Sequence, residues 1–334
     1  MGVTIENNHF IKPYNIIPPK DFHKWARICE HVIMHYNEGW ANGFNYGIEY
    51  WEIWNEADNM PDIKDNPMWK GTMEEYFDLY TIASKHLKAR FPHLKIGGYG
   101  SCGFYAMNNV DVSQIAHSSS RTDYFIEFFH KFLRHISENG APMDFFSWHS
   151  YAGIKDNEMF ANYPRPFLDE YGYKDCEIHL NEWNPGVPLR GTLHDAANIL
   201  AMMIALHATP TDMMMYYNFT GSSGYCGVMN PLNSQPFKAY YSFYTFGQLY
   251  ALGKCVECST DTDEVYALAA TDGEKKGIAI VNHKNEEICV SVAGVENAES
   301  YTVYSVDPDR DFEKIEGDVS SLTIPAYGFV YIEI

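Results

Sequence analysis

The chain has 334 residues and carries 24 Lys+Arg against 44 Asp+Glu, a formal net charge of −20. That balance argues against nucleic acid or an anionic membrane surface as partner, since both attract basic faces. With 46% hydrophobic and 20% charged residues the composition is globular, and no window reaches the roughly 18 unbroken apolar residues of a membrane span.

From about residue 20 to residue 252, helical patterns alternate with short apolar runs. The segment DFHKWARICEHVIMHY spaces Phe22, Trp25, Ile28, Cys29, Val32 and Ile33 as one face of an amphipathic helix. GIEYWEIWNE then reads as a strand ending in polar residues. Residues 72–91 read as a helix, with Thr72 as N-cap and Glu75 three positions on completing a capping box. LKIGGYGS is the second strand, and RTDYFIEFFHKFLRHISENG a helix running into Gly140. DFFSWHSY is the third strand, with a shorter helix predicted near 160–171. CEIHLNEW is the fourth, followed by a helix over roughly 192–208, and TDMMMYYNF is the fifth. PFKAYYSFYTFGQLYALG closes the series as a helix ending at Gly253. Beyond it, VYALAATDG, KGIAIVNH, EEICVSVAG, SYTVYSVD and SLTIPAYGFVYIEI are β-branched and aromatic runs separated by turn residues. They predict a small antiparallel β-sandwich.

Strand–helix alternation implies parallel strands joined by right-handed crossovers. Polar and aromatic residues gather at the C-terminal ends of the runs: Asn55-Glu56, Ser101, His149 to Tyr151, Glu182-Trp183 and Asn218. A (β/α)8 barrel builds its active site on that face, whereas a doubly wound sheet uses one switch point. The expected fold is therefore α/β, a TIM-barrel type over residues 1–252, followed by a β-sandwich over 253–334. Only five strand-like runs precede the sandwich, where a closed barrel needs eight, and residues 1–19 read as a loop. The barrel is thus expected to be incomplete at its N-terminal side, with about five βα units.

The sharpest chemical signal is a pair of carboxylates, Glu56 in EIWNE and Glu182 in HLNEW, each at the end of an apolar run and each preceded by Asn. Cleaving a glycosidic bond takes one carboxyl to protonate the leaving oxygen and another to act at the anomeric carbon. Aromatic residues make up 16% of the chain. Flat rings beside hydrogen-bonding groups suit a sugar, and they equally suit an aromatic core.

These segments resemble glycoside hydrolase family 39, within the clan A retaining glycosidases, the family of β-xylosidases and α-L-iduronidase. WEIWNEADN is similar to the acid/base segment, and NIIPPKDFHKWARICEHVIMHY to the helix before the fourth barrel strand. LKIGGYGS resembles the fifth strand, DFFSWHSY the sixth and LNEWNPG the seventh, which bears the nucleophile; the tail ending PAYGFVYIEI resembles the accessory sandwich. The resemblance implies Glu56 as general acid/base, its pKa raised by its surroundings, and Glu182 as nucleophile. It implies Asn55 on the sugar 2-hydroxyl, His149 and Tyr151 lining the pocket, and Trp54, Trp183 and Tyr217 as pocket walls. Ala57-Asp58 stands where the family commonly has Pro after the acid/base residue. The family's first three strand–helix units have no counterpart.

The implied activity is hydrolysis of terminal β-xylosides or related glycosides with retention, on a carbohydrate substrate and without metal or other cofactor. Two other readings stay open at this point: a catalytically impaired sugar-binding remnant, and an assembly subunit. An open barrel edge is a liability, so either the chain starts late relative to a complete protein or a second copy or partner chain covers the edge. Seven scattered cysteines and the absence of a leader-like start in MGVTIENNHF suggest a cytoplasmic protein, although a signal could lie upstream of Met1. Weaker patterns are set aside: GxGxxG over Gly98–Gly103, His31 and His35 at helical spacing, Cys255-x-x-Cys258, and the sequon Asn218-Phe219-Thr220, expected to be buried on a strand.

Overall fold

The computed structural model describes residues 13–107, 120–219, 227–230, 232–295 and 300–334. The chain divides into two compact units that are discontinuous in sequence. The first comprises Met1–Ser150, Met159–Glu182 and Pro210–Met215; the second comprises Tyr151–Glu158, Trp183–Thr209 and Tyr216–Ile334.

The first unit is organised on five strands, β1 (Tyr50–Glu52), β2 (Lys95–Ser101), β3 (Phe145–Ser150), β4 (Glu177–Trp183) and β5 (Met213–Tyr216). They lie side by side in chain order, as a half-barrel of parallel strands. A sheet whose order never reverses has no switch point, which separates a barrel segment from a doubly wound sheet. The strands are joined through α1 (Phe22–Asn37) leading into β1, α2 (Met73–Arg90), α3 (Arg121–Glu138), the pair α4 (Ile154–Asn162) and α5 (Pro164–Glu170), and α6 (Leu193–Leu206).

The first strand is far shorter than its apolar run. Among the described residues β1 pairs on one side only, with β2. Backbone with φ +75° at Trp54 and +50° at Glu56 then turns the chain out of the ladder. The single helix expected near 160–171 is two, because Pro164 opens a new helix two residues after Asn162. By contrast the capping box forms as read: the Glu75 amide donates to Thr72 Oγ1 at 3.1 Å, and the Thr72 amide to Glu75 Oε2 at 2.8 Å.

Much of the aromatic excess is core. Tyr76 and Tyr80 of α2, Phe128 and Phe132 of α3, and Tyr99 of β2 are fully buried and pack ring against ring, with centroids 4.9–6.5 Å apart. Lys88 and Asp144 pair at 2.7 Å, and the same carboxylate accepts the Ile96 amide at 2.8 Å, which fixes α2 against the start of β2.

The second unit contains α6 and α7 (Lys238–Leu252), which pack on each other, and an antiparallel β-region. That region has β6 (Lys254–Val256), β7 (Val265–Thr271), β8 (Lys276–Asn282), β9 (Ile288–Val290), β10 (Thr302–Val306), β11 (Asp311–Ile315), β12 (Leu322–Ile324) and β13 (Phe329–Glu333). One sheet runs β11-β10-β13-β8-β7-β6, and a second pairs β12 with β9. Val265, Ile280, Val303, Leu322, Ile324, Val330 and Ile332 form its core. Helix α7 ends where expected, at Gly253 with φ +80°, a left-handed cap that glycine adopts without a side-chain clash. Strands β6 and β11 were not anticipated; KCV is exposed throughout, and DFEKI is too charged to show an apolar face.

Candidate active site

Glu56 is delivered by the turn that follows β1. Its amide donates to Tyr99 O (3.2 Å) and Gly100 O (3.0 Å), so the acid-bearing turn hangs on the C-terminal end of β2. Left-handed backbone at Trp54 and Glu56 costs on the order of 1–3 kcal/mol per residue and persists only where the surroundings enforce it. Here they do. The Trp54 indole donates to Met68 O at 2.9 Å, and Asn59 N to Glu56 O at 3.1 Å. Asp58, fully buried, accepts from Ser101 Oγ at 2.9 Å and from the Cys102 amide at 3.2 Å. Burial pushes the Asp58 carboxyl up to about 7, against the opposing pull of those hydrogen bonds.

His149 and Glu182 sit one residue before the ends of β3 and β4. His149 Nδ1 lies 2.9 Å from Glu56 Oε1 and 3.7 Å from Glu182 Oε2, and one oxygen of each carboxylate and one imidazole nitrogen all lie within 4.8 Å of one another. The two carboxylate side chains keep 18% of their surface open, while the imidazole keeps 4%. Burial disfavours the imidazolium, but the Glu56 hydrogen bond and the charges of Glu56, Glu182 and Glu52 outweigh it and raise His149 to about 9. For Glu56, burial raises the pKa, and the bonds from His149 and Asn59 with the charges of His149 and Arg121 carry it below the ordinary value. This corrects the expectation of a raised Glu56: in the resting site the proton resides on the imidazole, with Glu56 as its ionised partner.

The layer beneath fixes the strand ends. Gly100 N donates to Ser147 Oγ at 2.8 Å, Ser147 donates to Glu52, and Asn181 Nδ2 reaches both Glu52 oxygens at 3.0 Å. Gly100 has φ +61°, and a Cβ there would stand 2.7 Å from Asn55 Oδ1 and 3.2 Å from His149 Nε2. The GxGxxG match is thereby explained without a phosphate: its glycines allow β2 to approach Asn55, His149 and the backbone of Ile53.

The sequence-predicted site residues divide as follows. Glu56, Glu182, His149 and Asn55 lie together in the first unit. The Asn55 side chain is half-buried and makes no hydrogen bond to protein among the described residues, which leaves its amide available. Trp54, expected as a pocket wall, is 4% exposed and packs against Trp25 and Trp69, so it has little surface to offer a ligand. Tyr151, Trp183 and Tyr217 fall in the second unit, where Tyr151 is exposed, Trp183 is buried and Tyr217 donates its amide to Trp183 O at 2.9 Å. Asn218 lies past the end of β5 and is half-buried, contrary to the buried strand position expected; Thr220 of that sequon lies outside the described residues. Glu52, Asn59 and Arg121 went unnoticed in the sequence. Only Glu52 left a trace there, as a carboxylate inside an apolar run.

Among the described residues, Glu56, His149 and Glu182 are the one group spaced to hold a metal ion. Their donor set is already engaged internally, since His149 Nδ1 bonds Glu56 Oε1 at 2.9 Å. His31 stacks on Trp40 at 4.6 Å and His35 Nδ1 bonds Trp40 O at 3.0 Å, so that pair serves a surface loop; Cys255 and Cys258 are free thiols.

Fold and site together define a (β/α)-barrel protein with two glutamates and a histidine converging at the C-terminal ends of its strands. A family model for glycosyl hydrolases family 39 matches residues 5–257, and the chain belongs to that family. It is 26% identical to a beta-xylosidase of Caldicellulosiruptor saccharolyticus, covering 88% of this chain and 61% of that protein. It is 24% identical to a beta-xylosidase of Geobacillus stearothermophilus, covering 62% and 40% respectively. The chain thus spans only part of the length of either. Among solved structures, a glucosidase from Croceicoccus marinus superposes with a TM-score of 0.70 at 20% identity, over 96% of this chain and 76% of that one. A family 39 beta-xylosidase from Caulobacter crescentus gives 0.65 at 17% identity, over 96% and 73%.

Proposed function

We propose that this chain carries the catalytic centre of a retaining glycosidase acting on terminal β-xylosides or related glycosides, with Glu182 as nucleophile and Glu56 as general acid/base. The observation that carries the reading is the convergence of Glu56 and Glu182 on one buried imidazole, with carboxylate oxygens within 4.8 Å of each other. Retaining enzymes hold their carboxyl groups about 5–5.5 Å apart and inverting ones about 6.5–9.5 Å; facing oxygens within 4.8 Å are compatible with the closer, retaining arrangement. Membership of family 39 and two relatives named beta-xylosidase support the sugar.

The proton inventory is compatible with both steps. Below about pH 9 the Glu56–His149 pair holds one proton. Glu182 attacks the anomeric carbon as Glu56 Oε1, drawing on His149 Nδ1 at 2.9 Å, supplies a proton to the leaving oxygen. Forming the ester removes the Glu182 charge that helps hold the imidazolium, so the pair gives up its proton more readily in that direction. In the second step the deprotonated pair takes a proton from the attacking water, and Glu182 is released. Asn55, with its uncommitted amide, is proposed to bind the sugar 2-hydroxyl.

A panel of aryl β-xylosides, β-glucosides and β-galactosides tests the reading. The expected result is hydrolysis of β-xylosides with first-formed β-xylose by proton NMR, abolished by Glu182→Gln. First-formed α-product would overturn the retaining mechanism.

A further inference from the structure

Glu56 is held from two sides, and the second side has no part in the chemistry just described. Asn59, 8% exposed, donates its side-chain amide to Glu56 Oε2 at 2.8 Å. Asn59 is itself gripped by Arg121, the first residue of α3: Arg121 Nε donates to Asn59 O at 2.8 Å and Nη2 approaches Asn59 Oδ1 at 3.4 Å. The guanidinium rests over the Phe125 ring with its carbon 5.1 Å from the centroid. A buried side chain from the acid-bearing turn and a cation from a helix 62 residues away thus meet behind one carboxylate oxygen.

We infer that Asn59, clamped by Arg121, is a positioning residue for the acid/base Glu56: it fixes the carboxyl plane, occupies Oε2, and leaves Oε1 as the oxygen that exchanges a proton with His149. This rests on the proposed role of Glu56. An amide N–H cannot accept, so a proton on Oε2 would leave two donors facing each other, whereas Oε1 faces an imidazole that can give or take one. The charged and titratable groups around Glu56 are His149 on β3, Glu182 on β4, Arg121 on α3, Asp58 in the turn after β1, and Cys102 just past the end of β2. Of these, His149 and Arg121 favour the ionised form of Glu56, as does the hydrogen bond from Asn59. Removing the Asn59 donor therefore makes Glu56 more basic.

The test reads Glu56 directly, in glutamate labelled with carbon-13 at the side-chain carboxyl, with its resonance assigned by loss in Glu56→Gln. In Asn59→Ala the Glu56 titration midpoint is expected to rise by about one pH unit, the scale of one hydrogen bond to a charged group. Arg121→Met, which loosens Asn59 without removing it, is expected to shift the midpoint the same way by less. In both, kcat/KM should fall more for poor leaving groups than for activated aryl glycosides, with the alkaline limb moving up. A folded Asn59→Ala protein whose Glu56 midpoint stays in place overturns the assignment, whatever its activity. Absence of hydrolysis in the unsubstituted protein alongside a shifted midpoint would instead sink the glycosidase reading and leave Asn59 as the residue that sets Glu56.

Discussion

His149 is the residue on which the two carboxylates depend. Buried to 3% exposure, it is raised to about 9 because two glutamates face its Nδ1 and a third, Glu52, adds its charge from below. If the Glu56–His149 pair supplies the catalytic proton, kcat/KM should fall as pH rises through about 9, where the pair loses that proton. Replacing the imidazole by a neutral amide, His149→Gln, should cost roughly 10²–10⁴-fold in kcat/KM for substrates that need an acid. The same variant should shift the alkaline limb, which a pH–rate profile measures; an unmoved limb would assign the wild-type titration to another group. The linkage also bears on stability. Because the folded pKa lies above the ordinary value of 6.5, the contribution of His149 is complete below that value and disappears as pH rises through about 9. None of this was legible in the sequence, because Glu56 and His149 meet across 93 residues and the sign of the Glu56 shift is set by that meeting.

Elements set where those side chains stand, and here the sequence was more legible. The α2 capping box is a local pattern satisfied within four residues, so Thr72 and Glu75 announced it; Thr72→Ala should cost about 1 kcal/mol in chemical denaturation. The ends of β2, β3 and β4 carry the site because parallel strands present their C-terminal ends on one face, and the apolar runs marked those ends to within a residue or two. The turn after β1 was not legible. Its left-handed Trp54 and Glu56 carry no glycine signature, since tertiary bonds from Tyr99, Gly100, Met68 and Ser101 enforce them. Trp54 follows the same logic: a tryptophan beside an Asn-Glu pair looks like a sugar platform in sequence, but the turn buries it. Gly100 offers a sharp check at this scale. With φ +61° and Asn55 Oδ1 only 2.7 Å from where a Cβ would sit, Gly100→Ala should lose about 1–3 kcal/mol of stability and displace Asn55. Full activity with unchanged stability would show that the approach of β2 is not needed.

For the whole molecule, the consequential fact is a parallel sheet of five strands with β1 unpaired on one side among the described residues. Ahead of that edge, Tyr36, Trp40, Phe44 and Tyr46 are 38%, 45%, 43% and 62% exposed, and Ile28 of α1 is 51% exposed. Open edges and contiguous apolar surface favour association. We propose that a second copy of the chain covers this side. The 334-residue chain alone should bind a solvatochromic dye such as ANS and self-associate by sedimentation velocity; a monodisperse monomer without dye binding would remove the proposal. Among the described residues no helix is long and apolar enough to cross a membrane. The five strands and the β-rich tail were legible because each is a short apolar run between turn residues, whereas the charged β11 and the exposed β6 carry no such contrast. Under the proposed mechanism Glu182 becomes covalently bonded to the sugar while Glu56 and His149 manage the proton. Incubation with an activated 2-deoxy-2-fluoro-β-xyloside traps that bond, and peptide mapping in the mass spectrometer locates it. One fluoroxylosyl adduct is expected, on Glu182; an adduct on any other carboxylate, or steady turnover of β-xylosides with none formed, would rule that mechanism out.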